Sequence, residues 1–254
     1  MEENKSTMNL FGIHFTAPDY LTMDPDFVQR EKGIFQQLKD AGLIVKKNKP
    51  TWYSPTLKTT LANSEVEYNE VTDESVYFFY PVGGVVNGPA RDRFLVWTTT
   101  EWTIAGNQAV CLNKNIQYCR VMGHNIICSK KFADENGWPN LTLSNVESFK
   151  TYIGHDGSER PVLFDDFVQD DHTGVVHLCG GHGDEDFDVL TKNGIAPKNA
   201  TSMEGLLVHM DAYRIEDSAY VYVREPVTHS VTVDWRNKER VIKVLTEQTY
   251  LDFD

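Results

Sequence analysis

The sequence predicts an α+β protein, with a β-rich, barrel-like middle domain and helices at its periphery. Three observations predict it. From about Ser75 the chain is a succession of short runs rich in β-branched and aromatic residues, separated by turn residues. Ahead of them, one long segment carries apolar residues at helical spacing. Late in the chain, DEDFDVLTKNG reads as a second, short helix. Many short strands with few helices suggest a barrel-like β core with peripheral helices.

The first element opens at MDPDFVQREKGIFQQLKDAGL. Asp24 suits the N-cap and Pro25 the first helical position. Phe27, Ile34, Phe35 and Leu38 recur at helical spacing, and Gly42 fits the stop. A short strand over Leu43 to Val45 and a basic turn, KKNK, follow. The strand-like runs are then SVYFFYPV, RFLVWTTT, NQAVCL, IQYCRV and NIICS, with GVVHL (174 to 178) as a further buried candidate. Gly194 stops the second helix. AYVYVR, SVTVDW and RVIKVL read as late strands. The change of character along the chain predicts a middle domain over 75–224, an N-terminal flank over 1–74, and a returning segment over 225–254 that packs with that flank.

A net charge of −13, from 24 Lys and Arg against 37 Asp and Glu, argues against a general nucleic-acid binder but leaves room for a local basic patch. Cys111, Cys119, Cys128 and Cys179 sit at no CxxC spacing, which predicts reduced thiols. MEENKSTMNLFG has no apolar leader and no long apolar run exists, so the expectation is a cytoplasmic protein without a membrane span.

HTGVVHLCGGHGDEDFD, residues 172 to 188, concentrates the chemistry. A metal site would need His172, His177, Cys179 and His182 to converge, yet on a strand 172 faces away from 177 and 179. No second ligand cluster supports them, so no metal is expected. A phosphate loop fits GGHG leading into a helix, but four carboxylates at that helix would repel a phosphate. The same carboxylates suit the helix dipole and a substrate's positive charge. A hydrolytic pocket would use a strand-end His177 and an acid from the next helix, Asp186. The plain alternative is a satisfied core histidine beside a solvated acidic helix face, and this stretch alone leaves these readings open.

FLVWTTTEWTIAGN, residues 94 to 107, adds hydroxyls on both faces of a strand end. WTTTEWTIAGN resembles the threonine-rich motif of the isoleucyl-tRNA synthetase editing domain, of the form WTTTPWTLPAN. HTGVVHLCGGHGDEDF resembles that domain's second motif, GTGxVHTAPGHGPDDY. KPTWYSPTLKTTLANSEVEY and REPVTHSVTVDWRNKERVIKVLTEQ are similar to the segments flanking the editing insertion, and TMDPDF to a stretch further upstream. The resemblance runs collinearly over about residues 15 to 250. Leucyl and valyl relatives carry a TTRP-type motif that WTTTEWT does not fit. The HIGH-type and KMSKS-type motifs of amino-acid activation are not present, and Thr249 in QTY stands where a QWF signature has tryptophan. The expectation is therefore an editing module with remnants of the synthetase catalytic-domain connection and no aminoacylation activity.

The resemblance implies an aminoacyl-tRNA deacylase acting in trans, which hydrolyses the ester of a wrong amino acid on the tRNA 3′ adenosine. Valyl-tRNA(Ile) is the expected substrate, because a hydrophobic pocket separates isoleucine from valine by only about 1–3 kcal/mol. By the same resemblance Asp186, nine residues after His177, binds the substrate's α-ammonium. His177 sits at the side-chain pocket and excludes the larger amino acid. Thr98, Thr99 and Thr100 contact the terminal adenosine and position water, while Trp97, Trp102, Asn107, Gly174 and His182 complete the substrate site. The expected tRNA contacts are Lys46, Lys47 and Lys49, with Arg236, Lys238 and Arg240 on the returning strand. No cofactor is required. The expected partners are the tRNA 3′ end and a synthetase or other protein that delivers the tRNA. A non-catalytic paralog that binds tRNA, an aminoacyl adenylate or a partner protein is the alternative. Glu101 stands where the motif has proline, Ala105 and Gly106 where it has Pro-Ala, Leu178, Cys179 and Gly180 where it has Thr-Ala-Pro, and Asp184 and Glu185 where it has Pro-Asp.

Overall fold

The computed structural model describes residues 2–13, 20–84, 91–200, 202–203, 214–215 and 220–252. Ala219, the first residue of AYVYVR, and residues 15–19 of the upstream stretch lie outside them. The chain forms two compact units: Met1–Lys47 with Gln248–Asp254, and Asn48–Glu247.

The smaller unit carries α1 (Glu2–Leu10) and α2 (Pro25–Asp40). Pro25 occupies the first turn of α2 and Asp24 the N-cap, although its side chain makes no capping bond. Gly42 follows at φ +75°, the left-handed turn that ends the helix. The apolar stripe is present but α2 buries none of its residues, and Ile34 and Phe35 stay exposed.

The strands are β1 (Ile44–Ser54), β2 (Thr59–Leu61), β3 (Val66–Pro81), β4 (Arg93–Thr98), β5 (Ala109–Leu112), β6 (Tyr118–Val121), β7 (Ile126–Ser129), β8 (Asn140–Thr142), β9 (Thr151–Ile153), β10 (Glu159–Phe164), β11 (Val176–Leu178), β12 (Val221–Asp234) and β13 (Ile242–Leu251). Helix α3 (Lys130–Glu135) follows β7, and α4 (Asp184–Lys192) follows β11. KKNK is not a turn: it lies inside β1, where four consecutive exposed positions let lysine and asparagine occupy a strand without desolvation.

Among the described residues the strands form three sheets, ordered β13-β1-β2, β11-β5-β10-β9 and β12-β3-β4-β7-β6-β8, and none closes on itself. The α+β class holds, with stacked sheets in place of a closed barrel. Val76, Phe78 and Tyr80 of β3 and Phe94 and Val96 of β4 face Val110 and Leu112 of β5, Tyr152 of β9 and Val162 of β10 in one core. The opposite face of the six-stranded sheet, with Phe79, Leu95, Cys119 and Cys128, is covered by α3 through Phe132 and Ala133. The opposite face of the four-stranded sheet, with Cys111, Leu163 and Leu178, is covered by α4 through Val189 and Leu190. Burial on both faces explains why SVYFFYPV reads as a continuous apolar run.

β3 and β12 pair antiparallel from Val66↔Asp234 to Phe78↔Val221, a long two-stranded ribbon leading out of the core. VEYNEVTDE therefore belongs to a strand, and VYVR and SVTVD are parts of one strand, Val221–Asp234, that runs through Pro226. Their polar composition hid them, because this part of the ribbon meets solvent.

Candidate active site

The two sheets bring the two motifs together. β4 pairs with β3 as far as Thr98↔Val76 but with β7 only at its start, so its end splays free and turns into a 3₁₀ helix, Glu101–Gly106. β11 pairs with β5, His177 opposite Val110, and delivers the glycine-rich turn and α4. A cavity of about 390 Å³ lies between them, lined by Trp97, Thr98, Thr99, Thr100, Gly174, His177, His182 and Asp186. A second cavity, about 740 Å³, shares Thr99, Thr100, Thr103 and His182 with it. Trp102 lines this second cavity only, and Asn107 lines neither.

The hydroxyls form a row. Thr98 Oγ1 lies 3.2 Å from Thr100 Oγ1 and accepts from the Thr100 N–H at 3.1 Å. Thr103 Oγ1 donates to the Thr100 carbonyl at 2.8 Å and lies 3.2 Å from His177 Nε2. With its proton committed to that carbonyl, Thr103 accepts from His177 Nε2–H. That tautomer leaves Nδ1 as a buried acceptor without a partner among the described residues. Burial first, then the nearby His155 and His182, push the His177 pKa down to about 4. The imidazole is therefore neutral at physiological pH, and its Nε2 is a donor, not a base toward the threonines. No nucleophile–base pair of the serine-hydrolase kind is assembled here.

Asp186 stands in the first turn of α4, where a carboxylate suits the helix dipole. Its Oδ2 accepts from the Cys179 N–H at 2.7 Å. Loss of water pushes its pKa up to about 7, and the neighbouring Glu185 adds to this, against the Cys179 hydrogen bond. Among the described residues no cation pairs with it. Its surroundings favour the protonated form, and a cation brought beside it would favour the carboxylate.

The other predicted residues are held by the fold. His182 Nδ1 bonds the Lys243 carbonyl at 2.7 Å and its Nε2 accepts from the Ala200 N–H at 2.8 Å, so both ring nitrogens are engaged. Asn107 donates to the Ala109 carbonyl at 3.0 Å and accepts from Arg160 at 2.9 Å and from the Tyr152 hydroxyl, which fixes the loop after the 3₁₀ helix. Gly174 has φ +68°, and a Cβ there would meet Ser129 Cβ at 2.8 Å. Gly180 and Gly181 are also close approaches: a Cβ would meet Pro197 at 2.7 Å or Asn199 at 2.3 Å. These glycines serve packing, not a phosphate cradle. Among the described residues no group of three or more histidine, cysteine or acidic side chains is arranged to hold a metal.

The expected tRNA contacts carry counter-charges. Lys47 pairs with Asp252 at 3.0 Å, Arg236 with Asp234 at 2.9 Å, Lys238 with Glu67 at 2.7 Å and Arg240 with Asp73 at 2.7 Å. Arg236 and Lys238 sit in the turn between β12 and β13, not on a strand, and Arg240 makes an isolated bridge to Val233. Lys46 and Lys49 are exposed on β1.

Sequence reasoning left Thr103 out of the site and weighed His172 only as a metal ligand. Thr103 is a threonine of the same motif, set one helical turn beyond Thr100. His172 stacks on Trp97 with centroids 3.8 Å apart and 15° between planes, at a position where the quoted motif form has glycine.

A family model described as tRNA synthetases class I (I, L, M and V) matches residues 1–252. The isoleucine–tRNA ligase of Latilactobacillus sakei subsp. sakei is 29% identical over 272 residues, covering 92% of this chain and 28% of that protein. That of Exiguobacterium sibiricum is 30% identical over 261 residues, covering 91% of this chain and 28% of that protein. Among solved structures, the crystal structure of GlLeuRS-CP1 aligns with TM-score 0.40 and 16% identity, over 48% of this chain and 62% of that chain. The chain spans little more than a quarter of the length of these curated relatives.

Proposed function

The chain belongs to the class I tRNA synthetases of the I, L, M and V group, and on that premise we propose that it hydrolyses the ester of mischarged aminoacyl-tRNA, acting in trans on valyl-tRNA(Ile). The observation that carries this reading is the Asp186 carboxylate, without a paired cation among the described residues, in one cavity with the threonine row and a neutral His177. An aminoacyl ester brings an α-ammonium, and Asp186 supplies its counter-charge. The bound ammonium removes the cost of holding that carboxylate ionised. The hydroxyls of Thr98, Thr99 and Thr100 then orient the terminal adenosine and the attacking water, and catalysis is positioning with hydrogen-bond stabilisation. His177 forms a wall fixed by Thr103, against which an extra methylene clashes. Asn107 supports the loop, and Trp97, Trp102, Gly174 and His182 shape the cavities. In this reading residues 75–224 are the editing domain, and 1–74 and 225–254 its flanks. Lys46, Lys47, Lys49, Arg236, Lys238 and Arg240 meet the tRNA backbone, most of them only by giving up a carboxylate partner.

Single-turnover deacylation of valyl-tRNA(Ile) by the wild-type chain and by Asp186→Ala tests the reading. The expected result is rapid release of valine by the wild type and a loss of about 100-fold or more in the variant, the scale of removing one transition-state contact. Equal rates in both would contradict it.

A further inference from the structure

The row of threonines hangs on a short, weakly built element. A 3₁₀ helix has strained hydrogen-bond geometry. Its N-cap, Thr100, makes no side-chain capping bond. The quoted motif form puts proline at the first helical position, where a fixed φ pre-organises the turn. Here that position is Glu101.

Glu101 is fastened from outside the helix. Its carboxylate takes a bidentate pair from Arg224 on β12, at 2.5 Å to one guanidinium nitrogen and 2.7 Å to the other. It also accepts from the Ile215 N–H, and Arg224 returns a bond to the Ile215 carbonyl at 3.2 Å. Ile215 is itself part of the main core. Arg224 further reaches Glu74 on β3 at 3.3 Å. The Glu101 and Arg224 side chains are 15% and 21% exposed, so the pair is shielded and geometrically fixed. Burial pushes the Glu101 carboxyl up, but its hydrogen bonds from Arg224 and Ile215 outweigh this and hold it below the usual range.

We propose that Glu101 is a positioning residue for ester hydrolysis: its ion pair with Arg224 does the work of the motif's proline and fixes the 3₁₀ helix that presents Thr100 and Thr103 to His177. The inference rests on the proposed deacylase reading. It assigns Arg224, a residue of the ribbon, to the hydrolytic site it does not touch.

The test is a cycle of Glu101→Gln, Glu101→Pro, Arg224→Met and Glu101→Pro/Arg224→Met in the full chain. Two readouts are taken: valyl-tRNA(Ile) deacylation with kcat and KM separated, and amide hydrogen exchange over residues 100–107. Glu101→Gln and Arg224→Met are expected to lower kcat about 10- to 100-fold with KM unchanged, the scale of a small misplacement of reacting groups. In both, the Thr103 amide, which bonds the Thr100 carbonyl at 3.0 Å, exchanges faster. Glu101→Pro restores kcat and protection, and Arg224→Met then costs nothing further. The proposal is overturned if Glu101→Pro is as impaired as Glu101→Gln, if Arg224→Met is equally harmful in the proline background, or if exchange over 100–107 is unmoved. If the wild type hydrolyses no ester, the deacylase reading fails and the positioning role fails with it. The exchange data then decide separately whether the ion pair fixes the helix.

Discussion

Asp186 and His177 are both cut off from water, which shifts their pKa values in opposite directions, so their pH behaviour separates them. Asp186 is raised from 3.8 to about 7 in the fold, so between those values the folded chain holds a proton that the unfolded chain has lost. Stability from this group therefore falls as pH rises through that window. Asp186→Asn is expected to raise Tm relative to wild type at pH 8 and to leave it unchanged near pH 4, as differential scanning fluorimetry would show. His177 is lowered from 6.5 to about 4, so there the unfolded chain binds the extra proton and stability rises with pH across that window. In the proposed reading the same carboxylate binds the substrate's α-ammonium. The free chain needs Asp186 ionised, with a limb near 7, and the substrate needs its α-ammonium, lost at roughly 8. A narrow bell in kcat/KM is expected, and Asp186→Asn should lower activity and erase its acid limb. A profile flat from pH 6 to 9 would remove Asp186 from the ammonium site.

At the scale of elements, the cavity exists because β4 leaves β7 early and β11 ends in a tightly packed glycine turn. Gly181→Ala would place a Cβ 2.3 Å from Asn199, and the shift required is expected to cost about 1–3 kcal/mol in a urea melt. Leu190→Ala, on the α4 face buried against the four-stranded sheet, is expected to cost about 2–5 kcal/mol. Both lie outside the hydroxyl row, so kcat should fall less than stability does. The elements legible in the sequence were those whose two faces differ from solvent in a simple way. SVYFFYPV and RFLVWT are buried on both sides, and Pro25 and Gly42 mark the ends of α2. The ribbon was hidden because VEYNEVTDE and EPVTH are polar strands, stabilised by pairing along β3 and β12 and not by burial. KKNK read as a turn for the same reason. The site residues came from two motifs, and spacing alone could not have joined them: β4 and β11 belong to different sheets. Thr103 stood in the quoted motif, but its contact with His177 lies 74 residues away, and Arg224 carried no local signal, since its partner Glu101 is 123 residues away.

At the scale of the molecule, charge would limit how a tRNA is held in the proposed reading. The chain carries −13, and Arg236, Lys238 and Arg240 are paired with Asp234, Glu67 and Asp73. If the proposed contacts form, phosphates displace these carboxylates, so few counterions are released per contact. The expected log–log salt slope for tRNA binding is shallow, roughly −1 to −3, far from that of a protein built on many phosphate contacts. Filter binding at several salt concentrations measures it, and a steep slope would mean that a basic surface other than these residues carries the affinity. Glu67→Gln and Asp73→Asn, which release Lys238 and Arg240, should tighten binding.

The most direct measurement is the side-by-side deacylation of tRNA(Ile) charged with valine and with isoleucine by the purified chain. Fast loss of valine and little loss of isoleucine are expected, a difference set by the proposed wall at His177. Equal hydrolysis of both esters, or hydrolysis of neither while the tRNA still binds, would contradict it.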